Sequence, residues 1–288
     1  MRFSIKYLRL FHRCYRNFWS VLLSLMIGLD KIAVVLRIDQ EKYHWEKIQV
    51  LNYVVANSLK YGADSEVELI PAQNRIKFNY KGTILNFYGF LYNGWIYKEM
   101  NEFEYKSLKF KDKIVIDAGA NTGTTSIYLA LNGAKKVFAI EPMPLTYTFL
   151  IRNVEMNDLT DRIICLNVAL GGTEHTVNLD VKKSGLGAEL SLSSLTEAYR
   201  PIRITTLGEL IKQHQIRNCV IKMDCEGCEY DALLNLDDET MSHIDEIILE
   251  YHHGAVHLAD FLSKNGFSVQ NLSIQRKTRV GILHAQKI

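Results

Sequence analysis

The 288 residues leave room for one large domain or two modest ones, and 48% hydrophobic with 23% charged residues suits a chain that buries a core. That composition excludes a disordered, a collagen-like or a small disulfide-stapled chain, and the five cysteines (Cys14, Cys165, Cys219, Cys225, Cys228), odd in number and unevenly spaced, suit a reducing compartment. Lys and Arg number 34 against 32 Asp and Glu, yet five of the basic and none of the acidic residues precede Asp30, so the remainder is faintly acidic and its bulk charge argues against nucleic-acid binding.

Arg2, Lys6, Arg9, Arg13 and Arg16 recur at steps of four and three, which gathers them within roughly 80° of one helix face. Phe3, Ile5, Leu8, Leu10, Phe11 and Tyr15 lie between them, and an uncharged run from Phe18 to Leu29 follows. That run is shorter than the roughly 20 residues a spanning helix needs. Residues 1–37 therefore read as a basic, apolar helical segment with two roles open. Residues 1–29 either meet anionic headgroups as a peripheral membrane contact, or pack on the chain's own body or on a second subunit. The oligomeric state is open as well. Residues 38–109 read as a helix from Glu41 to Lys60, then two to four antiparallel strands between Val67 and Tyr97. Phe78, Tyr80, Phe87, Tyr88, Phe90, Tyr92, Trp95 and Tyr97 crowd there. Aromatics suit strands, and they would also stack on a sugar.

From residue 110 to 288 the rhythm becomes strand, turn, helix. Apolar strands are expected at Ile114–Ile116, Val137–Ile140, Ile163–Val168, Val220–Met223 and Ile244–Tyr251. Helices are expected at Thr122–Asn132, Leu145–Asn157, Thr206–His214, Cys228–Asn235 and Val256–Asn265, and Phe267–Leu272 with Val280–Ala285 close as a strand pair. Between the third strand and Thr206 the sequence is less regular, with Gly171, Gly172, Gly185 and Gly187. The alternation predicts an α/β fold, a mostly parallel sheet covered on both faces, with ligands at the carboxyl ends of its strands.

Those strand ends carry the chemistry. Asp117-Ala-Gly119-Ala-Asn121-Thr-Gly123 lies between a strand and a helix, and its glycines allow a tight turn and close backbone approach. Glu141 ends the next strand, 22 residues after Gly119, where nucleotide-binding sheets set a carboxylate on ribose hydroxyls. The turn lacks the Gly-x-Gly-x-x-Gly spacing that a dinucleotide pyrophosphate needs, and Asp117 would repel phosphates. An acid there better suits the ammonium of a methionine moiety, which points to S-adenosylmethionine rather than NAD. Asp224, Glu226 and Glu229 follow the fourth strand, with Lys222 available to neutralise one carboxylate. Glu250, His252 and His253 end the fifth.

Together VIDAGANTG at 115–123, IEP at 140–142, IKMDCEGCEYDALL at 221–234 and ILEYH at 248–252 resemble the FkbM family of S-adenosylmethionine-dependent methyltransferases. The resemblance covers roughly residues 103–288. It implies a class I methyltransferase (Rossmann-like) sheet of seven strands, and O-methylation of a hydroxyl on a sugar, glycolipid or related natural product. Carried over by position, Asp117, Gly119, Asn121 and Gly123 would hold the methionine end and Glu141 the ribose, while Asp224 and Glu226 would face the methyl group or acceptor. The family usually has Val and Ala where this chain has Cys225 and Cys228, and an Asp where it has Gly208.

An alcohol acceptor needs a general base. Asp224 is the first candidate, followed by His252, whose ordinary pKa needs no shift, and Glu226. Cys225 and Cys228 read as thiols filling small buried spaces rather than a redox pair. His253 and His257 lack a convergent third ligand, so no metal is expected. The alternatives are an NAD-dependent oxidoreductase on the same fold and a silent cofactor-binding module. A cytoplasmic location, with peripheral contact to the membrane face, completes the expectation.

Overall fold

The computed structural model describes residues 5–62, 67–180, 199–275 and 279–288, so Arg2, the Lys6 side chain, Gly185 and Gly187 lie outside the described residues. The chain divides into two compact units, Met1–Glu102 and Phe103–Ile288.

The first unit begins with helices α1 (Ile5–Cys14) and α2 (Phe18–Ile27). Gly28, at φ 76°, ends α2 with its N–H donating to the Ser24 carbonyl. Strand β1 (Lys31–Val35) pairs antiparallel with β2 (Lys42–Glu46), and helix α3 (Lys47–Gly62) follows. Strands β3 (Val67–Ile70), β4 (Arg75–Tyr80) and β5 (Thr83–Tyr88) form an antiparallel sheet, and α4 (Ile96–Asn101) ends the unit.

Two expectations need correction here. Residues 31–35 are a strand within what reads as a helical segment, and residues 42–46 are its partner rather than the start of a helix. Tyr43 and Trp45 alternate with Lys42, His44 and Glu46, and Trp45 turns inward, a period of two that the flanking charges disguise as a polar helix turn. The α1 stripe packs on the unit itself. Phe11, Cys14 and Tyr15 are buried, and the Tyr15 hydroxyl donates to the Val50 carbonyl at 2.7 Å. Arg9, Arg13 and Arg16 remain exposed. Of the aromatics in the three-stranded sheet, Phe78 and Phe87 stack within the core at 5.7 Å.

The second unit is built on a seven-stranded sheet. In chain order it runs β6 (Ile114–Ala118), α5 (Thr124–Leu131), β7 (Lys136–Ile140), α6 (Pro144–Met156) and β8 (Ile163–Leu166). A small sheet of β9 (Ala169–Leu170), β10 (His175–Asp180) and β11 (Tyr199–Thr205) follows. Then come α7 (Leu207–Gln213), β12 (Cys219–Met223), α8 (Cys228–Leu234), α9 (Asp238–Ser242), β13 (Ile244–Tyr251), α10 (Val256–Lys264), β14 (Phe267–Gln275) and β15 (Val280–Lys287). The small sheet and α9 have no counterpart in the sequence reading.

The main sheet has the order β14-β15-β13-β12-β6-β7-β8, with β15 antiparallel to both neighbours and the rest parallel. From β6 the chain steps outward to β7 and β8. It then returns past β6 to β12 and steps the other way to β13. The expected seven-stranded, mostly parallel architecture is thus present. The strands are buried on both sides. Ile116, Ile140, Ile221, Met223, Ile247 and Leu249 belong to one core with Leu258 and Leu262 of α10. Among the described residues no helix is long and apolar enough to cross a membrane.

Candidate functional site at the carboxyl edge of the sheet

The order in which the chain adds strands reverses between β6 and β12, and the loops after β6, β7, β12 and β13 leave the same edge. The β6 loop is anchored to β7. Gly119 and Ala120 N–H groups both donate to the Ile140 carbonyl, at 3.0 and 2.9 Å. Gly119 has φ +78°, and a Cβ there would sit 1.8 Å from the Asp224 carbonyl oxygen. Gly123, at φ +89°, would set a Cβ 2.7 Å from Leu150 Cδ1. The close approach that requires these glycines is thus to the β12 loop and to α6, within the protein.

Glu141 is buried, and its carboxylate organises this corner. Oε2 accepts the Asn121 N–H at 2.9 Å, while Oε1 accepts the Met143 N–H at 2.8 Å and the Thr146 hydroxyl at 2.9 Å. Burial pushes its pKa up, and these three hydrogen bonds together with the Lys222 charge oppose the rise. Asp117 is fully buried. Its Oδ1 lies 3.0 Å from Lys222 Nζ, and its Oδ2 accepts the Ser126 hydroxyl at 2.6 Å. Lys222 pairs with Asp117 in register across β12 and β6, and its ammonium also donates to the Gly119 carbonyl at 3.2 Å. The ammonium facing Asp117 is therefore that of Lys222, and this buried pair fastens β12 to the turn.

The second cluster lies on the β12 and β13 loops. Asp224 Oδ2 accepts a hydrogen bond of 3.3 Å from the hydroxyl of Tyr105, itself buried. Burial and the charge of Asp224 hold that phenol well above its ordinary pKa. Glu229, fully buried in the first turn of α8, accepts from the backbone N–H and Nδ1 of His252, both at 3.0 Å, and from the Gly227 N–H at 2.8 Å. The hydrogen bond to Glu229 raises His252 to about 9, with the charges of Glu226 and Asp224 adding to it. His252 is thus an imidazolium at neutral pH, and its Nε2 lies 3.4 Å from Glu226 Oε2. Asp224, Glu226 and His252 bring side-chain atoms within 4.8 Å of one another, a spacing that fits a cation once that proton is lost.

Glu250, near the end of β13, carries a shifted pKa as well. Half-buried, it is raised to about 7 by desolvation first and the Asp224 charge second, with Glu104 and Glu226 contributing and His252 opposing. The sequence placed Glu250 in a cluster without distinguishing it, and it gave no sign of Tyr105. A strand-end acid is visible in sequence, whereas the desolvation that retunes it is not. Cys225 and Cys228 correct another expectation. They are joined by a disulfide bridging Glu226 and Gly227, rather than filling space as thiols. Cys14, Cys165 and Cys219 are free. At Gly208 a Cβ would meet Thr240 Oγ1 of α9 at 2.9 Å, so the side chain missing there has little room.

The sequence model described as Methyltransferase FkbM domain matches residues 117–269. Methyltransferase sdnD of Sordaria araneosa is 24% identical over 168 residues, covering 47% of this chain and 65% of the relative. Methyltransferase 1 of Beauveria bassiana is 25% identical over 161 residues, covering 48% of this chain and 64% of the relative. The match thus spans slightly less than two thirds of either relative's own length. Among solved structures, precorrin-6y C5,15-methyltransferase from Geobacter metallireducens aligns with a TM-score of 0.38 at 14% identity, covering 64% of this chain and 85% of the other.

Proposed function

Because this chain belongs to the FkbM methyltransferase family, we propose that it is an S-adenosylmethionine-dependent O-methyltransferase acting on a hydroxyl of a sugar, glycolipid or related natural product. What supports the reading is the convergence on one sheet edge of the Gly119–Gly123 turn, Glu141 and the carboxylates of Asp224, Glu226 and Glu250. S-adenosylmethionine, when bound, supplies a methyl group activated by a positive sulfur. The residues present fit such a group. Its cationic sulfonium and ammonium suit an edge rich in carboxylates, and its ribose diol suits Glu141, whose Oε2 carries one protein hydrogen bond and keeps acceptor capacity. Gly119, Asn121 and Gly123 would form the wall beside the methionine end. Asp117 would act through Lys222, neutralising it and holding the turn in place.

For the acceptor, Glu250 is the group best matched to taking a hydroxyl proton near neutral pH, since its conjugate acid has a pKa of about 7. Asp224 and Glu226 would accept hydrogen bonds from neighbouring hydroxyls of a polyol. His252, as a cation locked by Glu229, would limit the repulsion among these carboxylates. The proposed location is the cytoplasm, where the Cys225–Cys228 bridge would be a transient link rather than a permanent one. The test is transfer of labelled methyl from S-adenosylmethionine to a panel of sugars, glycolipids and hydroxylated natural products. Methyl ethers on at least one class, lost in Glu250→Gln, support the reading. Tight NAD binding without S-adenosylmethionine binding ends it.

A further inference from the structure

We propose that the outer face of α2 is a docking surface for anionic phospholipid membranes. Val21, Leu22 and Leu25 turn into the first unit and are buried. On the other side Trp19, Leu23, Met26 and Ile27 are 69, 59, 62 and 64% exposed, and Leu29 beyond the cap is 46% exposed. Positions 19, 23, 26 and 27 fall on one helical stripe, so this is a contiguous apolar surface rather than scattered side chains. The helix carries no charge, and its two polar side chains are Ser20 and Ser24. The Ser24 hydroxyl donates to the Ser20 carbonyl at 2.8 Å, so it requires no water.

At 10 residues the helix is about 15 Å long, half of a bilayer core. It therefore lies in the interface plane, where Trp19 has its preferred depth. The charges flanking the stripe select the lipid. Arg9, Arg13 and Arg16 precede it, all exposed, and no carboxylate occurs before Asp30. Arg16 is held by the neutral side-chain oxygen of Gln40 at 2.7 Å, and Arg37 by the His12 carbonyl at 2.6 Å, so both guanidiniums keep their charge uncancelled by these partners. Asp30, Asp39, Glu41 and Glu46 are opposing charges of the segment that follows, and none lies within the helix or before it. The excess of basic over acidic residues before Asp30 favours an anionic surface over a second copy of the same basic segment. The sequence pointed to the basic stripe of α1. The structure buries the apolar side of α1 and presents α2 instead.

The experiment is flotation of the full chain with vesicles of phosphatidylcholine alone and of phosphatidylcholine with phosphatidylglycerol, read alongside Trp fluorescence. The expected result is flotation with the anionic vesicles only, weakened by salt, with a blue-shifted Trp emission. Leu23→Gln with Ile27→Gln should weaken binding by roughly tenfold or more. Arg9→Gln with Arg13→Gln and Arg16→Gln should do the same and remove the salt dependence. All these side chains are exposed, so both variants should keep the wild-type melting temperature and circular dichroism. Absence of flotation by the wild type, or flotation indifferent to Leu23→Gln with Ile27→Gln, overturns the proposal. So does a dimer in sedimentation that the same variant dissociates, which would assign the stripe to a second copy.

Discussion

Glu250 and His252 stand two residues apart, and both titrate above their ordinary range for opposite reasons. Burial and the Asp224 charge disfavour the Glu250 carboxylate, whereas Glu229 favours the His252 cation. A base must be deprotonated to act, so turnover should rise with pH through about 7 as Glu250 ionises. It should fall again through about 9 as His252 loses its charge. Glu229→Gln removes the main cause of the His252 shift and should move the descending limb to lower pH, and it should move the ascending limb upward, because Glu250 loses the His252 charge that opposes its rise. Glu250→Gln should cost about 10²–10⁴ in kcat with cofactor affinity kept; a smaller loss would return the role to Asp224. Lys222→Met should destabilise the chain by about 3–5 kcal/mol in urea unfolding, because Asp117 is left buried and unpaired. Asp117→Asn added to it should recover part of that loss. At this scale the sequence was informative where chemistry follows position. Asp117, Glu141 and Asp224 were identifiable as strand-end acids, and Lys222 as a neutralising cation. It was uninformative where chemistry follows environment, as with the retuned Glu250, the charged His252 and the buried Tyr105 that hydrogen-bonds Asp224.

Among the elements, long apolar strands followed by glycine turns were legible, and short or polar ones were not. The runs forming β6, β7, β12 and β13 are buried on both faces and read as apolar blocks. β2 alternates with charged residues and reads as a helix turn, while β9 has two residues and no pattern to detect. The β6 turn and the β12 loop act as one piece, because Gly119 leaves no space for a Cβ against the Asp224 carbonyl. Gly119→Ala should therefore displace Asp224 and lower turnover. It should also cost more stability than the roughly 1–2 kcal/mol a positive φ alone imposes. The Cys225–Cys228 bridge closes a four-residue loop, for which chain entropy allows about 2 kcal/mol. Cys225→Ala with Cys228→Ala should lower stability by that order under oxidising conditions and by nothing under reduction. An equal loss in both conditions would show that packing, not the bridge, matters there.

On the scale of the whole molecule, the second unit, Phe103–Ile288, holds the seven-stranded sheet and each candidate site residue from Tyr105 to His252. Residues 103–288 expressed alone should fold and bind the cofactor with the affinity of the full chain, as read by circular dichroism and calorimetry. The first unit, with its own sheets and the exposed α2 stripe, has no such assignment from sequence, since its motifs match no strand-end chemistry. In the proposed function, the carboxyl edge of this sheet grips a sulfonium nucleoside through Glu141. The most direct test is calorimetric titration of the full chain, and of its Glu141→Gln variant, with S-adenosylhomocysteine, the demethylated product of that nucleoside. The wild type should show one site per chain, Glu141→Gln at least tenfold weaker binding, and NAD no heat. Failure of the wild type to bind, or equal affinity in the variant, would contradict the proposed function.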